Sequence, residues 1–249
     1  MIVHYGFDDI PAGVSTVVTI GSFDGIHSGH RVLLSALKAM AKRHGAESVV
    51  VTFDPHPRIA MGRAEGMGLL TTIEERALLL EREGVDRMVV ARFDEAFRSQ
   101  PYDTFVRDAL IARLGMVGMI VGYNHRLGRG SEGNYESLKP LAMECGFELE
   151  CVGQHLVEES KVSSTVVREA MSRGDMREVE RLTESKYLII GSAKAGIVNI
   201  LDCYKLLPVS GLYEAVVTYN NISSIDQIEF QDRRVVLSEP INGKVIIEL

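Results

Sequence analysis

Apolar runs alternate with amphipathic stretches over the first three quarters of the chain. Residues 16–20, Thr-Val-Val-Thr-Ile, are all β-branched and predict a buried strand. From His30 the period changes, and Leu33, Leu37 and Met40 fall on one helical stripe, with Gly45 placed as its C-terminal cap. Residues 48–53 predict a second strand. Thr72 and Glu75 have capping-box spacing ahead of Ala77, Leu78, Leu79 and Leu80, and Gly84 ends that helix. Residues 87–91 predict a third strand, and Pro101 opens a helix whose apolar face runs through Phe105, Ala109 and Leu110. A fourth strand at 119–122, a helix around 138–141 and a strand at 147–152 complete the series. Near-continuous apolar strands separated by helices predict an α/β domain whose parallel sheet is covered on both faces. Ligands of such sheets lie beyond the carboxyl ends of the strands.

The pattern changes after two helical stretches at 165–171 and 175–182. From Tyr187 to Leu249 only short β runs remain, at 187–190, 213–218, 234–237 and 244–248. Asn220-Asn221 and Asn242-Gly243 are turn signals, and the second reads as a hairpin. A domain boundary is expected near Ser185, giving residues 1–185 and 186–249. A tail of about sixty residues is marginal for independent stability, so it is expected to dock on the first domain. The chain carries no internal repeat and no low-complexity segment.

Composition narrows the class. The chain has 249 residues, 46% hydrophobic and 24% charged, which excludes disordered, collagen-like and coiled-coil proteins. The net charge of −7 argues against a nucleic-acid partner, while leaving room for small phosphates held by a few local cations. Cys145, Cys151 and Cys203 form no CxxC pair, which fits a reducing cytoplasm. The start Met1-Ile2-Val3-His4-Tyr5 has no leader pattern, and no apolar run is long enough to span a membrane, so no membrane partner is expected. Nothing in the sequence sets the oligomeric state.

The densest chemistry lies at 21–30, Gly-Ser-Phe-Asp-Gly-Ile-His-Ser-Gly-His, between the first strand and the first helix. Amides at a helix N-terminus and the helix dipole favour an anion. His27 and His30 add donors there, and Gly29 lets a phosphate approach the backbone. Two other readings are open. A metal site lacks a third ligand at suitable spacing, and a plain capped helix start would leave both histidines as polar surface.

This segment resembles the signature of the bacterial bifunctional FAD synthetases, which join a riboflavin kinase to an FMN adenylyltransferase. Its His-x-Gly-His core is shared with the wider nucleotidyltransferase superfamily. Thr52-Phe53-Asp54-Pro55-His56-Pro57, Leu70-Thr71-Thr72 with Glu75-Arg76, and Val162-Ser163-Ser164-Thr165-Val166-Val167-Arg168 resemble three further motifs of that family, in order and spacing over residues 16–190. The resemblance implies a Rossmann-like nucleotidyltransferase domain followed by a small, truncated β-barrel. It implies that FMN attacks the α-phosphate of ATP, giving FAD and pyrophosphate, with Mg²⁺ entering on ATP through ligands it does not name. On this reading Gly21, Phe23, Asp24, Gly25, His27, Gly29 and His30 bind ATP, as do Ser163, Ser164, Thr165 and Arg168. His27, His30 and Arg168 act in catalysis. Phe53, Pro55, His56, Pro57, Asn124 and Arg126 face the flavin. Two alternatives are a nucleotidyltransferase for another phosphate-bearing acceptor and a non-catalytic flavin- or nucleotide-binding regulator.

Two regions depart from the family pattern. In the loop Gly122-Tyr123-Asn124-His125-Arg126-Leu127-Gly128, His125 and Leu127 stand where phenylalanines are expected. The adjoining 128–133 segment fits GxGxxG, with Glu148 downstream, but it follows the fourth strand through a long loop, whereas a dinucleotide fingerprint needs a tight turn after the first. A substrate lid carrying Arg126 and Arg129 is the expected role. In the C-terminal region, residues 187–191 resemble the kinase's first strand and residues 206–213 its Leu-Leu-Pro-x-x-Gly-x-Tyr. The family's Pro-Thr-Ala-Asn motif is replaced by Gly196-Ile197-Val198-Asn199. The expectation is a barrel without kinase chemistry.

Overall fold

A computed structural model describes the chain apart from residues 9, 12, 64, 154, 155, 158 and 159, with the side chains of 154–161 also outside the description. The chain packs as two compact units. One comprises Met1–Phe23, Gly29–Glu65 and Ala77–Leu156, and the other Asp24–Ser28, Gly66–Arg76 and Val157–Leu249.

The first unit is built on six parallel strands: β1 (Ile2–Tyr5), β2 (Thr16–Ile20), β3 (Glu47–Asp54), β4 (Arg87–Arg92), β5 (Met116–Gly122) and β6 (Glu148–Val152). Their order is β1-β4-β3-β2-β5-β6. The α/β expectation holds. Every residue of β2 is buried, as the β-branched run requires for a central strand covered on both faces. The edge strand β1 escaped the sequence reading because only His4 of its four residues is buried. The helices are α1 (Ser28–His44), α2 (Pro57–Ala60), α3 (Ile73–Arg82), α4 (Glu95–Ser99), α5 (Tyr102–Phe105), which runs on as a π-helical turn over Val106–Ile111, and α6 (Tyr135–Cys145). The core between sheet and helices centres on Val18, Val49, Val51, Val89, Leu110, Met119, Val121 and Leu138, none of which reaches solvent. The capping box is present: Thr72 N donates to Glu75 Oε2 at 2.8 Å, and Glu75 N to Thr72 Oγ1 at 3.2 Å.

Past a two-stranded ribbon, β7 (Leu156–Val157) and β8 (Ser160–Lys161), the second unit adds α7 (Ser164–Ser172) and α8 (Met176–Thr183). It then forms a closed antiparallel barrel from β9 (Leu188–Lys194), β10 (Ile197–Asn199), β11 (Gly211–Tyr219), β12 (Ile222–Gln231), β13 (Arg234–Val236) and β14 (Gly243–Glu248). The ring runs β10-β13-β12-β11-β14-β9 and closes by pairing of β9 with β10. Closure removes exposed sheet edges, and Ile189, Val198, Val217, Ile228, Val235, Val245 and Ile247 fill the interior. Asn220 and Asn221 make the expected two-residue turn, both at positive φ, with Tyr219 paired to Ile222. Asn242-Gly243 does not make a hairpin. Gly243 begins β14, which pairs with β9 and β11, and the Asn242 side chain instead accepts from Ala195 N at 2.8 Å. The local signal lost to the register that closes the barrel.

Gly115, just before β5, accepts from Thr16 N through its carbonyl at 3.0 Å and has φ +62°. A Cβ there would lie 2.2 Å from the Val14 carbonyl oxygen. Gly115→Ala combines a left-handed backbone with a backbone clash, and should destabilise the sheet unit by about 3 kcal/mol. Urea unfolding checks this, and an unchanged midpoint would show that the turn yields freely.

Candidate active site

The sheet order reverses at β2, which has β3 on one side and β5 on the other. In an open parallel sheet such a switch point marks where ligands bind. The signature segment leaves the sheet here. Gly21 N donates to Val51 O at 3.0 Å, and Thr52 Oγ1 to Ser22 O at 3.0 Å, so the strand register carries into the loop. Phe23 takes φ 47° and is buried, its ring 4.9 Å from that of His30. His27 is buried, while Gly29 and His30 are half-buried. Ser28, the first residue of α1, is 1% exposed and its hydroxyl oxygen has no hydrogen-bond partner. A buried orphan hydroxyl beside the amides of a 17-residue helix suits an anionic ligand. Sequence reasoning passed over Ser28 as a spacer between histidines.

In the second unit Asp24 is 2% exposed and fully engaged. It accepts from Leu70 N at 3.1 Å, from Thr71 N at 2.8 Å and from Thr71 Oγ1 at 3.1 Å, and it pairs with Arg168. Arg168 also donates through Nε to Gly68 O at 2.6 Å. Ser164 Oγ donates to Asp24 O at 2.8 Å, and Gly25 N to Thr71 Oγ1 at 3.2 Å. Gly25 has φ +66°, and a Cβ there would meet Leu70 Cδ1 at 2.5 Å, so no other residue fits this approach. Asp24, Gly25, Ser164 and Arg168 are thus brought together. Ser163 is the N-cap of α7 in extended conformation, but its side chain makes no capping bond, and Thr165 is exposed.

The flavin-side candidates lie at the end of β3, in the segment after it, and beyond β5. Phe53 is buried in an aromatic cluster, its ring 5.4 Å from Phe93 and 5.5 Å from Phe97. Pro55 is exposed and Pro57 opens α2. His56 caps α2, its Nδ1 accepting from Arg58 N at 3.2 Å. Asn124 and Arg126 are exposed beyond β5, where Arg126 Nη1 donates to His125 O at 2.9 Å. The GxGxxG segment is no strand-turn-helix fingerprint. Leu127 and Gly133 exchange backbone bonds of 2.8 Å each and pinch the loop shut before Asn134 caps α6.

The model of the FAD synthetase family matches residues 10–166. The chain belongs to the FAD synthetase family. It is 30% identical over 207 residues to the bifunctional riboflavin kinase/FMN adenylyltransferase of Escherichia coli K12, a match covering 79% of this chain and 66% of that protein. It is 34% identical over 160 residues to a putative bifunctional riboflavin kinase/FMN adenylyltransferase of Geobacillus thermodenitrificans, covering 64% of this chain and 84% of the other. The chain therefore spans a little under two thirds of the length of the Escherichia coli relative. A crystal structure described as a macrolide-efflux protein from Streptococcus pneumoniae shares the fold with a TM-score of 0.83, over 99% of this chain and 88% of that one. At 23% identity that likeness concerns the fold alone.

Against the family pattern, His125 is the substitution with a physical signature. Its Nε2 is buried without a hydrogen-bond partner. Burial, then the neighbouring Arg126 guanidinium, push its pKa down from 6.5 to about 4. The folded chain keeps the ring neutral while the unfolded chain protonates it near 6.5, so its stability contribution is complete above pH 6.5 and is lost as pH falls towards about 4. His125→Phe should flatten the fall of thermal midpoint across that window. Parallel profiles for the two proteins would refute a buried neutral His125.

Proposed function

We propose that the chain is an FMN adenylyltransferase. A phosphate oxygen of FMN attacks the α-phosphorus of ATP, the bond from that phosphorus to the bridging oxygen of the β-phosphate breaks, and pyrophosphate leaves. The observation that carries this reading is the buried, unpartnered Ser28 hydroxyl at the start of α1, inside a signature segment of the family. His27 and His30 are assigned to the triphosphate, where positioned donors stabilise charge that develops in the transition state. Gly21, Phe23, Asp24, Gly25 and Gly29 set the loop's backbone around them. Ser163, Ser164 and Thr165 are assigned to the outer phosphates at the N-terminus of α7. Arg168 is assigned there too, with Asp24 holding its guanidinium. Phe53, Pro55, His56, Pro57, Asn124 and Arg126 remain the assignments on the flavin side, with Phe53 contributing from the core. Among the described residues no group of three or more His, Cys, Asp or Glu could hold a metal ion. Mg²⁺ is assigned to the ATP phosphates, an arrangement this ion favours, where it would neutralise their charge. No helix among the described residues is long and apolar enough to cross a membrane, and a cytoplasmic enzyme is the proposal.

A second reading keeps the nucleotide half and changes the acceptor. It is favoured by the burial of Phe53 and by Leu127, which is 5% exposed where the family pattern has an aromatic ring. One assay separates the readings. ATP and Mg²⁺ are supplied with FMN, riboflavin or other phosphate-bearing acceptors, and products are resolved by chromatography. FAD from FMN supports the first reading, and adenylylation of another acceptor in place of FMN supports the second.

Two outcomes are expected. His27→Ala and His30→Ala should each lower FAD formation about a hundredfold with the fold intact, the loss typical of one preorganised donor. Near-wild-type rates in both would remove these residues from the mechanism. Riboflavin should yield no FMN, because a kinase needs a phosphate loop, a metal ligand and a base in one place. In the barrel, residues 197–199 instead form β10. FMN appearing from riboflavin in a kinase-free preparation would restore a bifunctional enzyme.

A further inference from the structure

Lys205 is buried at the centre of the second unit, with no exposed side-chain surface. Its ammonium donates to Glu75 Oε2 at 2.7 Å, to Leu70 O at 2.8 Å and to Leu188 O at 2.8 Å, which uses all three protons. It also lies 4.2 Å from the centre of the Tyr187 ring. Glu75 is equally buried, and it accepts from Thr72 N at 2.8 Å and Ile190 N at 2.9 Å besides Lys205. Leu69 N donates to Tyr204 O at 2.6 Å and Leu206 N to Leu69 O at 2.7 Å, so the segment before Glu75 runs beside the chain that carries Lys205. The amides of Leu70 and Thr71, held on this side by Lys205, are the donors that grip the Asp24 carboxylate. Asp24 in turn pairs with Arg168, and the Thr71 hydroxyl accepts from the amide of Gly25.

We infer that Lys205 of the barrel is a positioning residue for nucleotide binding: it fixes residues 69–75, which fix Asp24, Gly25 and Arg168. This inference rests on the adenylyltransferase reading for the ligand, and on hydrogen bonds alone for the coupling. The barrel thereby has a use that needs no kinase chemistry, as the anchor of the loop that enters α1. A buried pair of this kind adds little net stability compared with apolar residues, yet it imposes one geometry on everything bonded to it. Removing one partner leaves the other charged and uncompensated, so single substitutions confound stability with position.

The coupling is tested first in the unaltered full-length chain by amide hydrogen exchange read by NMR. The amides of Gly25, Leu70, Thr71 and Ile190 should open together, with one free energy and one denaturant dependence. Independent, denaturant-insensitive exchange of Gly25, Leu70 and Thr71 would overturn the inference. The second test compares Lys205→Met with Lys205→Met/Glu75→Gln, which removes the orphaned charge. The double variant should regain most of the thermal midpoint lost in the single one. Its Gly25, Leu70 and Thr71 amides should still exchange about tenfold faster than wild type, and its KM for ATP should rise about tenfold with kcat little changed, as for a mispositioned binding loop. Wild-type exchange and wild-type KM in a folded double variant would reduce Lys205 to a stability element and overturn the proposal. ATP affinity measured by calorimetry separates the two readings. A wild-type chain that binds ATP but makes no FAD removes the activity while the exchange and affinity data still decide the positioning role.

Discussion

A charge buried out of water must find its partners inside the protein, and in the second unit two such pairs lie on either side of one short segment. Lys205 with Glu75 and Arg168 with Asp24 each draw further hydrogen bonds from residues 68–75, and the first pair draws others from Leu188 and Ile190 of β9. The carbonyl of Leu70 faces Lys205 while its amide faces Asp24. One peptide neighbourhood thus sees a cation through its oxygen and an anion through its nitrogen. This polarity leaves a single register available, because a shift by one residue would set carbonyls against the carboxylate and amides against the ammonium. Burial lowers the pKa of Lys205 and raises that of the Tyr187 hydroxyl well above its usual value, so the site resists uncompensated charge from either direction.

Local signals in the sequence were readable where a single element sets its own geometry. The capping box of Thr72 and Glu75 is one case, and the Asn220-Asn221 turn is another. The reading failed where long-range pairing decides. Asn242-Gly243 has stronger hairpin chemistry than Asn220-Asn221, yet β13 has already ended at Val236, and Gly243 opens β14, which pairs with β9 and β11. β12 was invisible because it has no clean alternation: exposed Ile225 lies on the outward side with Ser223, Gln227 and Glu229, and the buried apolar residues Ile228 and Phe230 come only at the end. Glu75 shows both regimes in one side chain. Its capping role is written in three-residue spacing, whereas its bonds to Ile190 and Lys205 span 115 and 130 residues and leave no local trace.

The candidate site divides along the same line. The proposal of phosphate chemistry at the histidines, a glycine and a helix start could be made from sequence because that spacing is local. The partner of Arg168 was not, since a guanidinium near hydroxyl-rich sequence suggests a ligand, and nothing nearby announces a buried aspartate 144 residues away. Its pairing with Asp24 does not exhaust the fork, because a guanidinium carries five donors and these bonds to Asp24 and Gly68 use two of them. The surroundings of Phe53 were hidden for a related reason. An aromatic in a proline-bounded loop resembles a stacking surface, but as the penultimate residue of β3 its ring turns into the cluster with Phe93 and Phe97.

The barrel closes through the segment in which this chain departs from the family pattern. Where the family pattern places Pro-Thr-Ala-Asn, this chain has Gly196-Ile197-Val198-Asn199, and the last three residues are β10. That strand pairs with both β9 and β13, and Val198 points inward with no exposure. β10 is the seam of the ring: without it β9 and β13 would each present an open edge. The segment is thus committed to closure by its backbone, whatever its side chains carry, and an apolar Val at its centre serves closure well. Closure in turn keeps β9 in place, and β9 supplies the Leu188 carbonyl and Ile190 amide that complete the shells of Lys205 and Glu75. Residues 197–199 and the residues that hold the buried pair are separate in this fold, so the side chains of the first can change while the second still fix the segment that grips Asp24.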